Sequence, residues 1–263
     1  MPGTKGLVLQ PRDWKLLGEL VTMRVVDREQ AMAVAGFYSA TRAHTRLPML
    51  TKAGLLNRFY LGTVKGGMKA LYALTRKGMK ELGVTAPILF RTPEEVLVGD
   101  QFVHHQLILN WLYIALKYKS LPEGAVLQRW QTFSKPISAS LPLMPDGYLE
   151  LTFDNRIFPM FLEVDRGTES LKVWQKKIHL YIRLATTGEF ARLFHHPQFR
   201  VLVVTTTNRR AESLRKFIAK STPKLFWLTS LEIINPHASG FFEKAWTRPF
   251  SEERHWLLER KLP

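Results

Sequence analysis

Cysteine is absent from the 263 residues, which excludes disulfides, Cys-ligated zinc and thiol catalysis and makes a cytoplasmic protein the natural expectation. There is also no run of about 18 apolar residues of the kind that spans a bilayer. The opening MPGTKGLVLQPRDW lacks the apolar stretch of a secretory signal, so no membrane partner is expected. Acidic residues are scarce as well. The 22 Asp and Glu face 38 Lys and Arg, leaving a formal net charge of +16. Such an excess favours a polyanion through counterion release and long-range steering, and double-stranded DNA is the expected partner. A hydrophobic content of 46% is enough to bury a sizeable core in one large or two ordinary domains.

The first third of the chain reads as helix, helix, helix, hairpin. In RDWKLLGELVTMR, Trp14, Leu16, Leu17, Leu20, Val21 and Met23 fall mainly on one side of a helix, with Asp13 in its first turn. DREQAMAVAG follows, with Asp27 placed to cap and Gly36 to stop a second helix. A third helix begins near Ser39, and Pro48 inside it is expected to distort it or shift its start. RFYLGTVKGGMKALYALT then reads as strands 58–64 and 69–74 around Lys65-Gly66-Gly67.

This order, closed by TRKGMKEL, resembles a winged helix-turn-helix. The resemblance implies that the third helix enters the DNA major groove and the hairpin touches backbone or minor groove. Arg42, His44, Arg46 and Lys52 are then the expected helix contacts, with Lys65 and Lys69 on the wing. Residues 1–90 carry about +9 of the net charge, which suits that role. The alternative is an ordinary solvated basic surface, or a winged helix that binds protein.

Pro87 and Pro93 break the pattern, so 1–84 is read as the first domain, 85–98 as a linker and 99–263 as the second domain. The latter opens with GDQFVHHQLILNWLYIALKY, a helix with His104 and His105 near its start; neighbouring helix positions point apart, so the two do not form a metal site alone. GYLELTF and RIFPMFLEVD are strand-like runs joined by Asp154-Asn155. Strand alternation puts Glu163 and Asp165 on one face, and the hairpin returns Asp146 alongside them. Three converging carboxylates repel unless a cation joins them, and oxygen donors suit Mg²⁺ or Mn²⁺.

Pro145-Asp146, Glu163-Val164-Asp165 and a helix with Gln175, Lys176, Lys177 and Tyr181 resemble the PD-(D/E)xK nuclease core. That resemblance implies catalytic roles for Asp146, Glu163, Asp165, Lys172 and Lys177, the first three as metal ligands. Asp165 stands where the nuclease pattern has lysine, so a lysine from the helix, Lys172, Lys176 or Lys177, has to supply that charge. The alternative is that Arg166 and Lys172 pair with Glu163 and Asp165 as structural ion pairs. Glu169 is a secondary candidate, for a helix cap or for the cluster. Glu150 and Asp154 are expected to face solvent. FRVLVVTTT, NRRAESLRKFIAK and LFWLTSLEIIN add a buried strand, a helix whose Arg209, Arg210, Arg215, Lys216 and Lys220 read as a solvated face, and a further strand.

Taken together, VHHQLIL, PDG, FLEVDRGTES with its Lys and Tyr helix, and RVLVVTTTNRRAESL are similar to the replication-relaxation family of plasmids and mobile elements, from about residue 12 to about residue 248. The expected fold is α/β in the α+β sense: an N-terminal winged helix-turn-helix, then a PD-(D/E)xK-like mixed-sheet domain. The resemblance implies DNA handling in replication or mobilisation. One reading is a metal-dependent endonuclease or nickase; the other is a non-catalytic DNA-binding accessory or regulator. A relaxase, another mobile-element protein and a second copy of the chain are the candidate protein partners.

Overall fold

A computed structural model describes residues 7–62, 66–85, 89, 91–97, 100–119 and 121–259. By internal packing the chain divides into two units, 1–114 and 115–263. Both combine helices with a mixed sheet, so the fold is α+β.

The first unit runs α1 (Pro11–Met23), β1 (Val25–Asp27), α2 (Arg28–Ala35), α3 (Ala40–Lys52), β2 (Leu56–Gly62), β3 (Met68–Leu74), α4 (Arg76–Leu82), β4 (Val96–Leu97) and the start of α5 (Gln101–Tyr118). Each early helix boundary has a local chemical cause. The Asp13 carboxylate accepts from the Gln10 N–H at 2.7 Å, satisfying a donor at the start of α1. Asp27 Oδ1 accepts from the Gln30 N–H at 2.9 Å, and Gly36, at φ +69°, takes the left-handed position that ends α2. Ser39 caps α3 through the Arg42 N–H, and that helix runs on through Pro48 to Lys52.

β2 and β3 form the expected hairpin, Leu56 opposite Leu74 and Gly62 opposite Met68. The short β1, which the sequence pattern did not reveal, pairs antiparallel with β3. The stretch read as a linker is partly sheet: β4 adds to β2 in parallel, and Arg58 makes a two-pronged bond to Glu94 at 3.0 Å. Val25, Phe59, Leu61, Leu71, Ala73 and Leu97 share a core with Val103 and Leu107 of α5. Gln30 Nε2 donates to the Leu107 carbonyl and Asn110 Nδ2 to the Val25 carbonyl. The first part of α5 therefore belongs to the first unit, and the division falls between Ile114 and Ala115 rather than at residue 99.

The second unit continues with β5 (Val126–Gln131), β6 (Gly147–Phe153), β7 (Arg156–Asp165), α6 (Leu171–Thr186), α7 (Glu189–Phe194), β8 (Arg200–Thr205), α8 (Asn208–Ala219), β9 (Phe226–Ser230), α9 (Leu231–Ile234), β10 (Trp246–Arg248) and β11 (Ser251–His255). LFWLTSLEIIN is thus strand only to Ser230, where α9 takes over. The sheet order is β11-β10-β9-β8-β7-β6-β5, with β7, β8 and β9 mutually parallel. Asp154 and Asn155 both adopt positive φ, 52° and 54°, making the tight turn that sets the β6–β7 register. Phe161, Val201, Val203, Phe226 and Leu228 pack against Trp174, Ile178 and Tyr181 of α6 and Leu214 and Ile218 of α8. The β7 and β8 side chains on this face are thereby roofed by the two helices, which is what makes the placement of Glu163 and Asp165 consequential.

One expected DNA contact is instead part of the frame. Arg46 is buried in α3; its Nε lies 3.0 Å from Asp13 Oδ1, and its Nη2 donates to Asp13 Oδ2 and to the Val8 carbonyl. Asp13 is fully buried. Removing one partner of such a pair strands the other charge, so Arg46→Ala should lower the stability of the first unit by about 3–5 kcal/mol. Hydrogen exchange of the α1 and α3 amides in the full chain measures this. A loss below about 0.5 kcal/mol would put Arg46 among the ordinary surface residues.

Candidate functional site

The acid-bearing residues assemble from β7 upward. Alternation on β7 turns Glu163 and Asp165 toward α6 and α8, opposite Val203 and Thr205 of β8. Both are about 1% exposed, so each carboxylate needs partners within the protein. Glu163 Oε2 accepts from Lys177 Nζ at 2.9 Å and Glu163 Oε1 from the Tyr181 hydroxyl at 2.6 Å. Lys177 also donates to Glu169 Oε1 at 2.8 Å and lies over the Trp174 ring, 5.3 Å from its centroid. Trp174, Lys177, Ile178 and Tyr181 follow helical spacing, so a single face of α6 delivers all four to the sheet.

Asp165 has different company. Arg210 of α8 meets it two-pronged, Nε to Oδ1 at 3.1 Å and Nη2 to Oδ2 at 2.8 Å. The Trp174 indole N–H donates to Oδ2 and the Gly167 N–H to Oδ1. Gly167 sits at φ +81°, a conformation glycine adopts without strain. Arg210 Nη2 reaches the Glu169 carbonyl too, at 2.6 Å. Asp165 is thus a structural junction between β7, the 166–170 turn, α6 and α8. Asp146, at the head of β6, accepts from the Val164 N–H at 2.7 Å and so bridges the β6–β7 pair.

The three expected acids therefore do not gather as one cluster. Among the described residues no three His, Asp or Glu side chains form a group suited to a metal ion. Asp165 does not fit as a ligand, because four donors already address its two oxygens. Asp146 and Glu163 remain a pair of hard oxygen donors on adjoining strands, beside Lys177. Of the helix lysines only Lys177 turns inward; Lys172 and Lys176 are exposed, as is Gln175. Glu169 joins the network through Lys177, while the cap of α6 is Ser170.

Arg210, read as part of a solvated face, is the functional neighbour that the sequence pattern missed. Its signal was topological: Thr205 lies beside Asp165 and Thr207 caps α8, so the first turn of α8 stands over the end of β7. Arg215 is buried too, bonded to Glu212, Glu252 and the Pro249 carbonyl. Glu150 is half-buried and accepts from the Tyr148 hydroxyl at 2.8 Å, whereas Asp154 is exposed as expected.

Burial pushes the Glu163 carboxyl up to about 7; Lys177 opposes the shift and Asp146 adds to it. Burial alone would lower Lys177, yet Glu163, Asp146 and Glu169 around it hold its ammonium above the ordinary range. Burial and the adjacent Glu163 also raise the Tyr181 phenol far above its usual value, so it stays a donor.

On the first unit, Arg42, His44 and Lys52 lie exposed on α3 with Thr45 and Met49. Arg46 faces inward, as described. Lys69 is half-exposed and bonded to Asp27 Oδ2 at 2.9 Å, so it supports the α2 cap. Lys65 lies outside the described residues.

A helical unit with a β-hairpin, followed by a mixed sheet that carries buried acids on an interior strand, defines a two-unit α+β protein. Its place within that class is given by comparison: the family model for replication-relaxation matches residues 17–195, more than half of the chain, and the chain belongs to that family. No curated protein and no solved structure matches it. No helix among the described residues is long and apolar enough to cross a membrane.

The titration of Glu163 has a definite sign. Its folded carboxyl keeps a proton that the unfolded chain releases near pH 4.5, so this group's contribution to stability is fully present below that pH. It falls as pH rises toward about 7 and is level above it. The fall should be about 3 kcal/mol. Glu163→Gln retains an oxygen for Tyr181 and should flatten this slope. Urea midpoints at pH 4.5, 6 and 8 check it, and parallel slopes in mutant and wild type would assign the titration to another group.

Proposed function

We propose that this chain is a duplex-DNA-binding protein of plasmid or mobile-element replication or mobilisation, acting in the cytoplasm. It docks through α3, while the second unit keeps its buried acids paired with its own cations. The observation that carries this reading is the division of α3 into two faces. Ala43, Arg46, Leu47 and Leu50 fix one face to the first unit, while Arg42, His44, Thr45 and Lys52 are left to solvent on the other. A rigid helix that offers two permanent cations, a histidine and a hydroxyl has the donors needed for phosphate and base edges in a major groove. Family membership supports the setting. A relaxase or a second copy of the chain fits as partner.

A second reading, metal-assisted cleavage of DNA, is favoured by the position of Lys177. The nuclease pattern wants a cation beside its glutamate, and Lys177 stands 2.9 Å from Glu163 Oε2 although it comes from α6 rather than from β7. Asp146 and Glu163 would then hold Mg²⁺ or Mn²⁺, which in such sites polarises a phosphodiester or a water. Lys177 would have to leave Glu163 and turn its charge toward the phosphate.

Duplex affinity of the full chain should fall about 10³-fold between 50 and 200 mM salt if about six phosphates are engaged. Arg42→Ala and Lys52→Ala should each weaken binding by roughly 1–3 kcal/mol where the side chain reads a base, and less where it meets only phosphate. Anisotropy titrations on a selected site and on random duplex separate the cases. Salt-insensitive binding, or losses within error for both variants, would sink the α3 reading. Melting with Mn²⁺ and a plasmid-nicking assay decide the second reading: a Mn²⁺-dependent rise in Tm and nicking, both lost in Glu163→Ala, would establish it, and their absence in the wild type would retire it.

A further inference from the structure

At the other end of the second unit's sheet, where β7, β8 and β9 begin, a cavity of about 540 Å³ opens. Arg156, Arg200, Arg248 and Lys224 line it, together with the rings of Phe158 and Trp227. The rings hold the guanidinium groups. Arg200 lies 4.4 Å from the Trp227 ring centroid and 5.2 Å from that of Phe158; Arg156 lies 5.1 Å from Phe158 and Arg248 5.7 Å from Trp227. Cations fixed on aromatic faces lose less conformational freedom when they meet an anion than free surface arginines do.

These charges are poorly compensated at close range. Arg200 donates to the Leu257 carbonyl and Arg156 to the Glu259 carbonyl, which satisfies N–H groups without cancelling charge. The Asp154 carboxylate only approaches Arg156, at 4.0 Å. Burial, together with Arg156 and Arg248, lowers the Arg200 guanidinium to about 10, with Glu259 opposing. Like charges held together against their mutual repulsion form a site that an anion stabilises.

We propose that this cavity is a second nucleic-acid site, separate from α3, which receives the sugar-phosphate of a single-stranded DNA segment between Arg156, Arg200 and Arg248. Its shape selects the single strand. A duplex presents its phosphates on a convex cylinder and meets flat or grooved surfaces, whereas a recessed arginine at the base of a concavity is reached by one flexible strand. The volume is that of a small-ligand pocket and admits a nucleotide unit. Arg200, Trp227 and Arg248 lie beyond the matched residues 17–195, so family membership does not account for the arrangement. The inference is independent of the α3 reading, and either can fail without the other.

The test uses the full chain, a fluorescent twelve-residue oligothymidylate and a fluorescent duplex of the same length. Arg156→Ala combined with Arg248→Ala removes two rim cations and leaves Arg200 and the rings in place. The double variant should bind the single strand at least 10-fold more weakly, with a shallower salt dependence by about 1.4 in the logarithmic slope for two lost phosphate contacts. Its duplex affinity should stay within about twofold and its Tm should match wild type. Arg200→Lys, which keeps the charge but loses the planar fork, should give an intermediate loss. Unchanged single-strand affinity, or an equal loss for both DNA forms, would overturn the proposal. So would a Tm rise with inorganic phosphate or a nucleoside monophosphate, lost in the double variant, in a chain that does not bind the oligonucleotide; that result would assign the cavity to a free small phosphate.

Discussion

A carboxylate withdrawn from water at the end of an interior strand must be given donors, and Asp165 receives them from three other parts of the chain. Arg210 comes from α8, the indole N–H from α6 and the Gly167 N–H from the turn between β7 and α6. Charge-assisted and two-pronged bonds of this kind fix direction as well as distance. They seat α6 over β7, and the seating of α6 in turn decides which of its side chains can reach Glu163. Lys177 and Tyr181 meet Glu163 because Trp174, one turn earlier, is already held at Asp165. The phrase DRGTES is therefore a piece of joinery: an acid, a glycine at positive φ, a glutamate that meets Lys177 and a serine cap follow one another in the order that the turn requires.

The first unit solves the same problem with one pair. Asp13 satisfies the start of α1 and simultaneously binds Arg46 of α3, so a helix terminus and a helix–helix contact share a single buried charge. Asp27 repeats the device at smaller scale, with one oxygen on the start of α2 and the other on Lys69 of the hairpin. In both places a cation that looks available for DNA in a linear sequence is committed to an acid nearby in space. Charges on α3, at the starts of β7 and β8 and at the end of β10 are not committed in this way.

Features set by neighbours in sequence were readable in advance. The cap at Asp27, the start of a helix near Ser39, the stop at Gly36, the Asp154-Asn155 turn and the strand pairing of GYLELTF with RIFPMFLEVD all follow from local preferences, and the α+β order follows from them. What the sequence concealed depended on packing between distant segments. The three residues of β1 are too few for a periodic signal, and β4 is a two-residue strand that exists because β2 has a free edge. Arg46 and Arg210 have the composition of a basic surface; only the approach of α1 and of β7 turns them inward. The same blindness affects the acids. Alternation correctly placed Glu163 and Asp165 on one face, but could not say that α8 would bring a guanidinium to one and α6 an ammonium to the other.

This separation of roles bears on how one strand can carry two buried acids. Glu163 and Asp165 are two residues apart on one strand, and their mutual repulsion in a buried setting must be offset locally. Arg210 neutralises Asp165 outright, leaving Glu163 with Lys177 as counter-charge and with a carboxyl that burial brings close to neutrality near pH 7. Each buried acid thus has an internal cation from a helix as its counter-charge, and the two pairings differ in one respect. A helix lysine can withdraw from the acid only by a side-chain rotation, whereas the Arg210 pairing is locked by the Glu169 carbonyl behind it. Within this pair of sites, then, the capacity to change partners resides at Glu163 and Lys177, and the capacity to hold the fold resides at Asp165 and Arg210.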